Sequence, residues 1–428
     1  MRTIGLLLFS ALALAAFDDD RKTIIRAIKD YAKQGSSSIP KIEPYLQDKD
    51  DEVRWEAVKA IAEVGGPRSL DPLLAATRDS AGEIQIRATD GLVNFYLPGY
   101  LKTGLLSGSL RRTTTAFRGR FSDVNNDIID LGVTVKPEVI EALGKLVRDP
   151  NAAMEARACA ARALGILRGK AALDDIYEGL RSKNDLVLQE GLLAVQKIRD
   201  LSSGPKIQFL LRDLNDRVQI NAIETTGILR NRDALPTLKD ILETDKNIKV
   251  RRAALTAIAM MADESSRPVF EKYFPDPDEG LRGAAAEGYA RMKNPQDLPA
   301  LEKAFNEEKK ANPRLSQAFA CVALGKRDIA EFSPLQYLVN TLNSKLYRDV
   351  AGPLLAELSR DTEIRRSLYP ALNRPDATRE EKIRLAQIFA ATGDRETLDV
   401  LNKLKDDGDV QVGQEAARAA RNLAARLP

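Results

Sequence analysis

Residues 218–230 read "VQINAIETTGILR", and stretches of this pattern recur through most of the chain. Val218, Ala222, Ile223 and Thr226 have the spacing that places residues on one side of an α-helix. The fifth position of most stretches holds a small residue, which allows two helices to approach closely, and it serves as the anchor of each stretch. The anchors are Ala57, Ala88, Ala158, Gly191, Ala222, Ala254, Ala285, Phe319, Val350, Ala386 and Ala416.

Successive anchors are separated by 31, 70, 33, 31, 32, 31, 34, 31, 36 and 30 residues, so one interval contains about forty extra residues. A second amphipathic segment precedes many of the stretches, as "ALPTLKDILETD" does at residues 234–245. Proline often stands in the first turn of this segment, where its missing N–H costs no hydrogen bond. Each unit is therefore predicted to be a helix–turn–helix. Because neither helix can bury its apolar stripe alone, the units are expected to stack into an all-α fold.

The second helix of a unit begins with the pattern D-x-V-R-x-x-A, which is complete in Asp51, Val53, Arg54 and Ala57. This pattern resembles the HEAT-repeat family in its short form, called HEAT-like or bilin-lyase-type repeats. The resemblance covers roughly residues 40–428, apart from the extra residues. It implies a right-handed α-α superhelical solenoid of about eleven helix pairs, with the second helices on the inner curve. The pattern recurs in part at Asp216, Val218 and Ala222, and at Val250, Arg251 and Ala254.

The family includes enzymes as well as scaffolds, and the composition of the chain bears on both. HEAT-type deoxyhypusine hydroxylases hold iron with His–Glu pairs, but this chain has no histidine. Its absence also removes the commonest general base and metal ligand. HEAT-type DNA glycosylases use a basic surface, whereas 65 basic and 62 acidic residues nearly balance here. We therefore predict no cofactor, no metal and no nucleic-acid partner.

Cys159 and Cys321 lie in alanine-rich helical patterns and are interpreted as small core residues. They are five units apart, too far for a disulfide, and no CxxC pattern suggests a zinc site. The pairs Arg251-Arg252 and Lys309-Lys310 are interpreted as solvated faces.

The N-terminus carries an apolar run of about eleven residues, from Leu6 to Ala16, after the positive charge of Arg2. This length is typical of a signal-peptide core and too short to span a bilayer. We expect export, with a periplasmic location and cleavage after Ala15 or Ala16. An uncleaved N-terminal anchor is the alternative, and no other segment is apolar enough to cross a membrane.

The predicted organisation is a signal peptide (1–16), an N-terminal capping helix (17–38), repeats 1–2 (39–96), an irregular insertion (97–135) and repeats 3–11 (136–428). The last helix would cap the other end of the stack. Four of its charged residues are available for its outer face, namely Glu415, Arg418, Arg421 and Arg426.

The insertion loses the helical period, is punctuated by glycines and has no acidic residue between Leu97 and Ser122. Its arginines could pair with carboxylates or phosphates of a partner, and its phenylalanines could pack beside them. The alternative is that these side chains dock the insertion on its own solenoid. The predicted partner-binding residues are Arg111, Arg112, Phe117, Arg118, Arg120 and Phe121.

The stretch "DVNNDIID" at residues 123–130 begins like a calcium-binding loop, with Asp123, Asn125 and Asp127 at alternate positions. The pattern then fails, because Ile128 and Thr134 replace the expected glycine and glutamate. A turn with capping Asx residues is the better interpretation, so we predict no calcium site.

The leading hypothesis is a non-catalytic, exported scaffold that binds a protein or peptide along the concave face, with the insertion contributing. A second hypothesis is a lyase-type enzyme that uses Asp123, Asp127 and Arg120. A third is binding of an anionic cell-envelope component through the arginines. The sequence does not identify the partner.

Overall fold

The computed structural model describes residues 20–101, 128–130 and 132–427, and this part of the chain contains helices and turns but no strand. Helix α1 spans residues 20–32 and buries Ile28 completely. Eleven helix pairs follow it, the number expected for the all-α fold. The predicted signal peptide lies outside the described residues.

The chain divides into two compact units, the first of which comprises residues Met1–Ser109 and Val133–Ile198. It contains α1 and four helix pairs. The pairs are α2 (Ile39–Ile42) with α3 (Asp51–Val64), α4 (Leu70–Ala76) with α5 (Gly82–Tyr96), α6 (Pro137–Arg148) with α7 (Met154–Ile166), and α8 (Leu173–Gly179) with α9 (Asp185–Ile198).

The second unit comprises residues Leu110–Gly132 and Arg199–Pro428 and contains seven helix pairs. Short 3₁₀ turns extend several of the first helices. The pairs are α10 (Gly204–Ile207) with α11 (Asp216–Ile228), α12 (Leu235–Thr244) with α13 (Ile248–Met260), α14 (Arg267–Tyr273) with α15 (Glu279–Met292), α16 (Leu298–Glu307) with α17 (Ala311–Ala323), α18 (Pro334–Thr341) with α19 (Arg348–Leu358), α20 (Thr362–Leu368) with α21 (Arg379–Thr392), and α22 (Arg395–Leu404) with α23 (Val410–Arg426).

Within each unit, the second helix of a pair packs on its own first helix and on the next second helix. The small anchor residues are buried, and Ala57, Ala222 and Ala254 are buried completely. A Cβ added to the anchor Gly191 would lie 2.8 Å from Leu180 Cδ2 and 3.8 Å from Ile176 Cγ2, so this anchor faces the first helix of its own pair. A side chain is not tolerated at some nearby positions. A Cβ added to Gly227 would lie 2.8 Å from the Ala257 Cα. The close approach of neighbouring second helices therefore requires a glycine at Gly227, five residues after the anchor Ala222.

In seven of the eleven described pairs, the turn between the helices is built around one aspartate that accepts a hydrogen bond from the backbone N–H two residues later. Asp213 accepts a hydrogen bond of 2.8 Å from the Asn215 N–H, and the Asn215 side chain caps α11 by accepting from Arg217 and Val218. This Asx turn stops the first helix and starts the second within three residues. The same turn is made by Asp48, Asp79, Asp149, Asp245, Asp276 and Asp407.

A buried arginine or glutamine near the start of several second helices sets the register of the pair. Arg157 donates to the Val147 carbonyl oxygen at 2.9 Å. Arg168, eleven residues later and just after the end of α7, has a positive φ. The same eleven-residue interval to a positive φ recurs from Arg54 to Gly65, Gln219 to Arg230 and Arg282 to Lys293. Gln219 donates to the Leu211 carbonyl oxygen, the position equivalent to Val147, whereas Arg54 and Arg282 donate to the carbonyl oxygen of the turn aspartate.

This register corrects one anchor of the sequence alignment. Arg54 lies three residues before Ala57, so the residue of α7 that matches Ala57 is Ala160 and not Ala158. The cause is the turn before α7, which holds two more residues than the others. Asp149 is five residues before the first residue of α7, whereas Asp213 is three residues before the first residue of α11.

Polar contacts of the two terminal helices differ in part from the expected capping arrangement. Helix α1 forms ion pairs with α3, of which Arg21–Glu52 is 3.3 Å long. In α23, Arg418 pairs with Asp130, and Arg426 donates to the Gly393 carbonyl oxygen, so these two arginines are not free on an outer face.

The solvated-face interpretation is also wrong for one of the two basic pairs. Arg251 donates to the Leu242 carbonyl oxygen, and Arg252 pairs with Asp278 at 2.8 Å. Lys309 and Lys310 are exposed, as expected.

We expect the Lys293→Gly substitution to stabilise the second unit by about 1 kcal/mol, because Lys293 holds a left-handed backbone with φ of 58° and ψ of 32° that costs a residue with a Cβ about this much. Urea unfolding of both proteins measures the difference. Lys303→Gly, at an exposed position inside α16, is the matched control and should destabilise by a similar amount. Equal destabilisation by both substitutions would contradict the expectation.

Candidate functional site

The six residues predicted to bind a partner lie outside the described part of the chain. These are Arg111, Arg112, Phe117, Arg118, Arg120 and Phe121, and Asp123 and Asp127 of the enzyme hypothesis lie outside it too. Their predicted roles stay predictions. The described ends of the insertion are residues 97–101, which follow α5, and 128–130 with 132–135, which precede α6.

The surface formed by α3, α5, α7 and α9 of the first unit carries charged side chains that meet from helix to helix. We call it the second-helix face. Arg87 of α5 donates to Glu63 of α3 at 2.8 Å. Arg162 of α7 donates to both oxygens of Glu190 of α9, at 2.7 and 3.1 Å. Each of these pairs bridges two second helices, so they tie neighbouring helix pairs together along the face.

Asp90 lies between these ion pairs and completes a row of alternating charge across the face. The charge row consists of Glu63, Arg87, Asp90, Arg162 and Glu190. Among the described residues, Asp90 has no cation within ion-pair distance, and its hydrogen-bond donor is the Cys159 thiol at 3.5 Å. Burial raises the pKa of Asp90, while Arg162 and Arg87 at longer range oppose the shift. The row therefore contains one carboxylate that is incompletely neutralised.

Tyr100 and Cys159 complete the surroundings of Asp90. Burial raises the pKa of the Tyr100 hydroxyl well above its usual range, and the nearby Asp90 adds to the shift. Burial and Asp90 likewise raise the pKa of the Cys159 thiol, which is 8% exposed. A thiol held protonated is a poor nucleophile. Cys159 and Cys321 are free and buried, which confirms their interpretation as core residues.

The second unit contains a separate charged cluster centred on Arg291 of α15. Arg291 donates to both oxygens of Glu357 of α19, each at 2.7 Å, and to Glu287 at 3.2 Å. Its guanidinium carbon lies 5.1 Å from the centre of the Phe319 ring of α17. Arg291 thus links the second helices on either side of α17, and the carboxylates neutralise it fully.

The end of the insertion docks on the last helix of the second unit. Asp130 accepts hydrogen bonds from Arg418 at 3.0 Å and from Asn422 at 3.2 Å, both on α23. The neighbouring Ile129 is 4% exposed. Ile129 and Asp130 of the insertion therefore pack on the chain itself, while both interpretations of its arginines and phenylalanines stay predictions.

Metal-ligand clusters and membrane-spanning helices are two further features that can be examined in the described part of the chain. No group of three or more metal-ligating side chains converges in the described part of the chain. None of the helices described there combines the length and apolar character that crossing a bilayer requires. The charge row offers fixed charges, one incompletely neutralised carboxylate and a protonated thiol, a set suited to recognising a charged partner.

Sequence reasoning missed the charge row because its members are adjacent only in the fold. Arg87, Cys159 and Glu190 stand one residue before the structural anchors, and Asp90 and Arg162 stand two residues after them. Charged residues at these two positions of successive stretches are the signal that could have found the row. The shifted alignment of α7 hid it.

Comparison with known proteins agrees with this architecture. A family model for HEAT repeats matches residues 6–92, 203–274 and 236–321. With eleven described helix pairs, these matches show that the chain is a HEAT-repeat protein. No curated protein sequence matches the chain.

Two examples of solved structures similar to this chain are the following. Human deoxyhypusine hydroxylase in complex with glycerol is 19% identical with a TM-score of 0.29, covering 67% of this chain and 96% of its own. The complex of CpcE and CpcF of phycocyanin lyase from Nostoc sp. PCC7120 is 15% identical with a TM-score of 0.30, covering 66% and 93%. At these scores, neither similarity indicates what this chain binds.

We expect the Asp90→Asn variant to be more stable than the wild type at neutral pH. Burial raises the Asp90 pKa, so the folded protein binds this proton more tightly than the unfolded chain does. The resulting stability is complete below the unfolded-state pKa, about 4, and is lost as pH rises through the folded-state pKa. The variant keeps an oxygen that can accept from Cys159.

Thermal unfolding between pH 4 and pH 8 tests this expectation. The difference in Tm between variant and wild type should be largest near pH 8 and should close towards pH 4. Asp71→Asn, at an exposed position on α4, is the control. A lower Tm of Asp90→Asn at pH 8 would show that the charged form is the favoured one.

Proposed function

We propose that the chain is a non-catalytic scaffold that binds a protein or peptide partner along its second-helix face. The observation that carries the proposal is the continuity of this face. In the first unit, four second helices lie side by side, and the charge row crosses all of them. An extended or helical segment of a partner could contact several helix pairs at once.

The fixed ion pairs favour binding because the face is ordered before a partner arrives. Side chains that are already paired lose little further conformational freedom on association, which lowers one of the main costs of binding. Charged groups at fixed positions along a stack of helices give specificity for a partner whose charges are complementary in sign and spacing. The alternating signs of the charge row would select a partner segment with the opposite order.

The insertion is the second part of the proposed binding surface. It begins directly after α5 and contains Tyr100, which adjoins Asp90 of the charge row. Its other end is held on α23 by Asp130 in the second unit. Arginines within the insertion would supply charge-assisted hydrogen bonds to carboxylates of the partner.

Photo-crosslinking in cells of the organism that produces this protein tests the proposed function. Benzoylphenylalanine placed at Lys59 or Leu193, both on second helices, should yield an adduct of the same partner, identified by mass spectrometry. The same label at Asp71 or Asp174, which are exposed on first helices of the same unit, should yield none. Adducts from first helices alone would refute binding on the second-helix face.

The role of the insertion is tested in the same experiment. Replacing Arg111, Arg112, Arg118 and Arg120 with alanine should lower the adduct yield at Lys59 about tenfold, the loss expected for about one charge-assisted contact. An unchanged adduct yield at Lys59 would show that the second helices bind the partner without these arginines of the insertion.

We also propose that the scaffold works outside the cytoplasm, in the periplasm. The support is the apolar run from Leu6 to Ala16 and the small residues Ala13 and Ala15 before the polar stretch. N-terminal sequencing of the protein from cells should find a chain that begins at Ala16 or Phe17. A mature chain that still begins at Met1 would contradict cleavage.

A further inference from the structure

An open crevice of about 380 Å³ lies in the first unit, between the turn that joins α4 to α5 and the turn that joins α6 to α7. Arg78, Asp79 and Gln85 form part of one wall, and Lys145 and Asp149 form part of the other. The volume falls within the range of small-molecule binding sites. The crevice lies at the turns of the helix pairs, among residues that the charge row does not include.

In other places, the space between successive turns is closed by a side-chain contact that we call the turn ladder. A residue near the start of one second helix bonds to the acidic residue in the turn of the next pair. Arg54 donates to Asp79 at 2.8 Å, which is the contact immediately before the crevice. The other examples are Gln219 with Asp245, Arg252 with Asp278, Arg282 with Glu308, and Lys382 with Asp407.

The turn ladder is interrupted at the crevice. By position, Gln85 of α5 should bond to Asp149, as Gln219 bonds to Asp245. Gln85 instead donates only to the Asp79 carbonyl oxygen, at 2.8 Å. The extra residues of the turn before α7 account for the altered spacing, since Asp149 begins that turn. The crevice therefore occupies the place of a missing contact.

Gln85 is left with an unused acceptor in the crevice wall. Its side chain is more than nine-tenths buried, with 8% exposure, and its Oε1 accepts no hydrogen bond within the described part of the chain. The bond from Nε2 to Asp79 fixes which end of the amide is the oxygen. A buried acceptor without a donor costs about 1–3 kcal/mol, so a bound N–H group would stabilise the site.

The crevice also presents one unpaired charge of each sign. Asp149 caps its own turn by accepting from the Asn151 N–H at 2.9 Å, but it has no ion pair with a described residue. Arg78 is exposed and likewise has no ion pair in the described part of the chain. Asp79 differs, because Arg54 neutralises both of its oxygens. The groups of the crevice that are free to bind a ligand are thus the Asp149 carboxylate, the Gln85 Oε1 and the Arg78 guanidinium.

We propose that this crevice binds a small zwitterion, an α-amino acid or a dipeptide. The ligand's ammonium group donates to Asp149 and the Gln85 Oε1, which supplies the missing donor and restores the bridge between α5 and the next turn. Its carboxylate pairs with Arg78, while Lys145 on the opposite wall stays paired with Glu141. The ligand therefore closes the gap in the turn ladder and ties the second and third helix pairs together.

Isothermal titration calorimetry of the whole chain with L-alanine and L-alanyl-L-alanine tests the proposal. At least one of them should bind saturably at about millimolar concentration or tighter. N-acetylation, which removes the ammonium group, and amidation, which removes the carboxylate, should each weaken binding at least about tenfold. No binding of either compound up to about 10 mM, or equal binding of the N-acetylated form, overturns the proposal.

Variants locate the site. Asp149→Asn keeps an oxygen that can cap the turn, and together with Arg78→Gln it should reduce affinity at least about tenfold while circular dichroism stays unchanged. Asp213→Asn, the same substitution at an equivalent turn of the second unit, should bind like the wild type. Binding that survives both Asp149→Asn and Arg78→Gln places the ligand elsewhere and overturns the proposal. Because these residues are not part of the charge row, neither result decides whether the second-helix face binds a partner.

Discussion

No helix of this protein can bury its apolar stripe without its neighbours, and that constraint governs the rest of the structure. Each second helix packs on its own first helix and on the next second helix, and completely buried anchors such as Ala57, Ala222 and Ala254 contribute little apolar area each. Stability therefore comes from repetition of one small contact, as in other repeat proteins, and not from one large central core. A small residue at each contact is what permits the repetition.

Apolar contacts between helices do not by themselves fix register, and polar contacts supply it here. The Asx turns stop one helix and start the next, and a buried arginine or glutamine then holds the second helix to the carbonyl groups before it. Each of these bonds satisfies a backbone group at a helix end, where the helix itself leaves it unpaired. The same side chains, or their neighbours, extend to the next turn and form the turn ladder.

The sequence was sufficient to predict the helix pairs, their number and the break in the period, because all three depend on local periodicity. It was not sufficient for contacts that depend on register between pairs. Two extra residues before α7 moved the true anchor from Ala158 to Ala160, and Arg418 found Asp130 almost 300 residues away. The charge row was missed for the same reason, since Asp90 and Arg162 occupy equivalent positions only in the corrected alignment.

The irregularities of the chain converge on α5, the helix that precedes both the insertion and the lengthened turn. In a regular stack, the following pair supplies each polar side chain with a partner at a fixed spacing. After α5 this spacing is lost, and the helix retains buried polar atoms without hydrogen bonds at Gln85, Arg87 and Thr89 as well as the incompletely neutralised Asp90. Unsatisfied groups of this kind are costly in a repeat whose sequence could easily be made regular. Eleven of the fourteen such atoms in the described part of the chain lie on other elements, so α5 is distinguished by the position of one of them: the Gln85 side chain lines an open crevice.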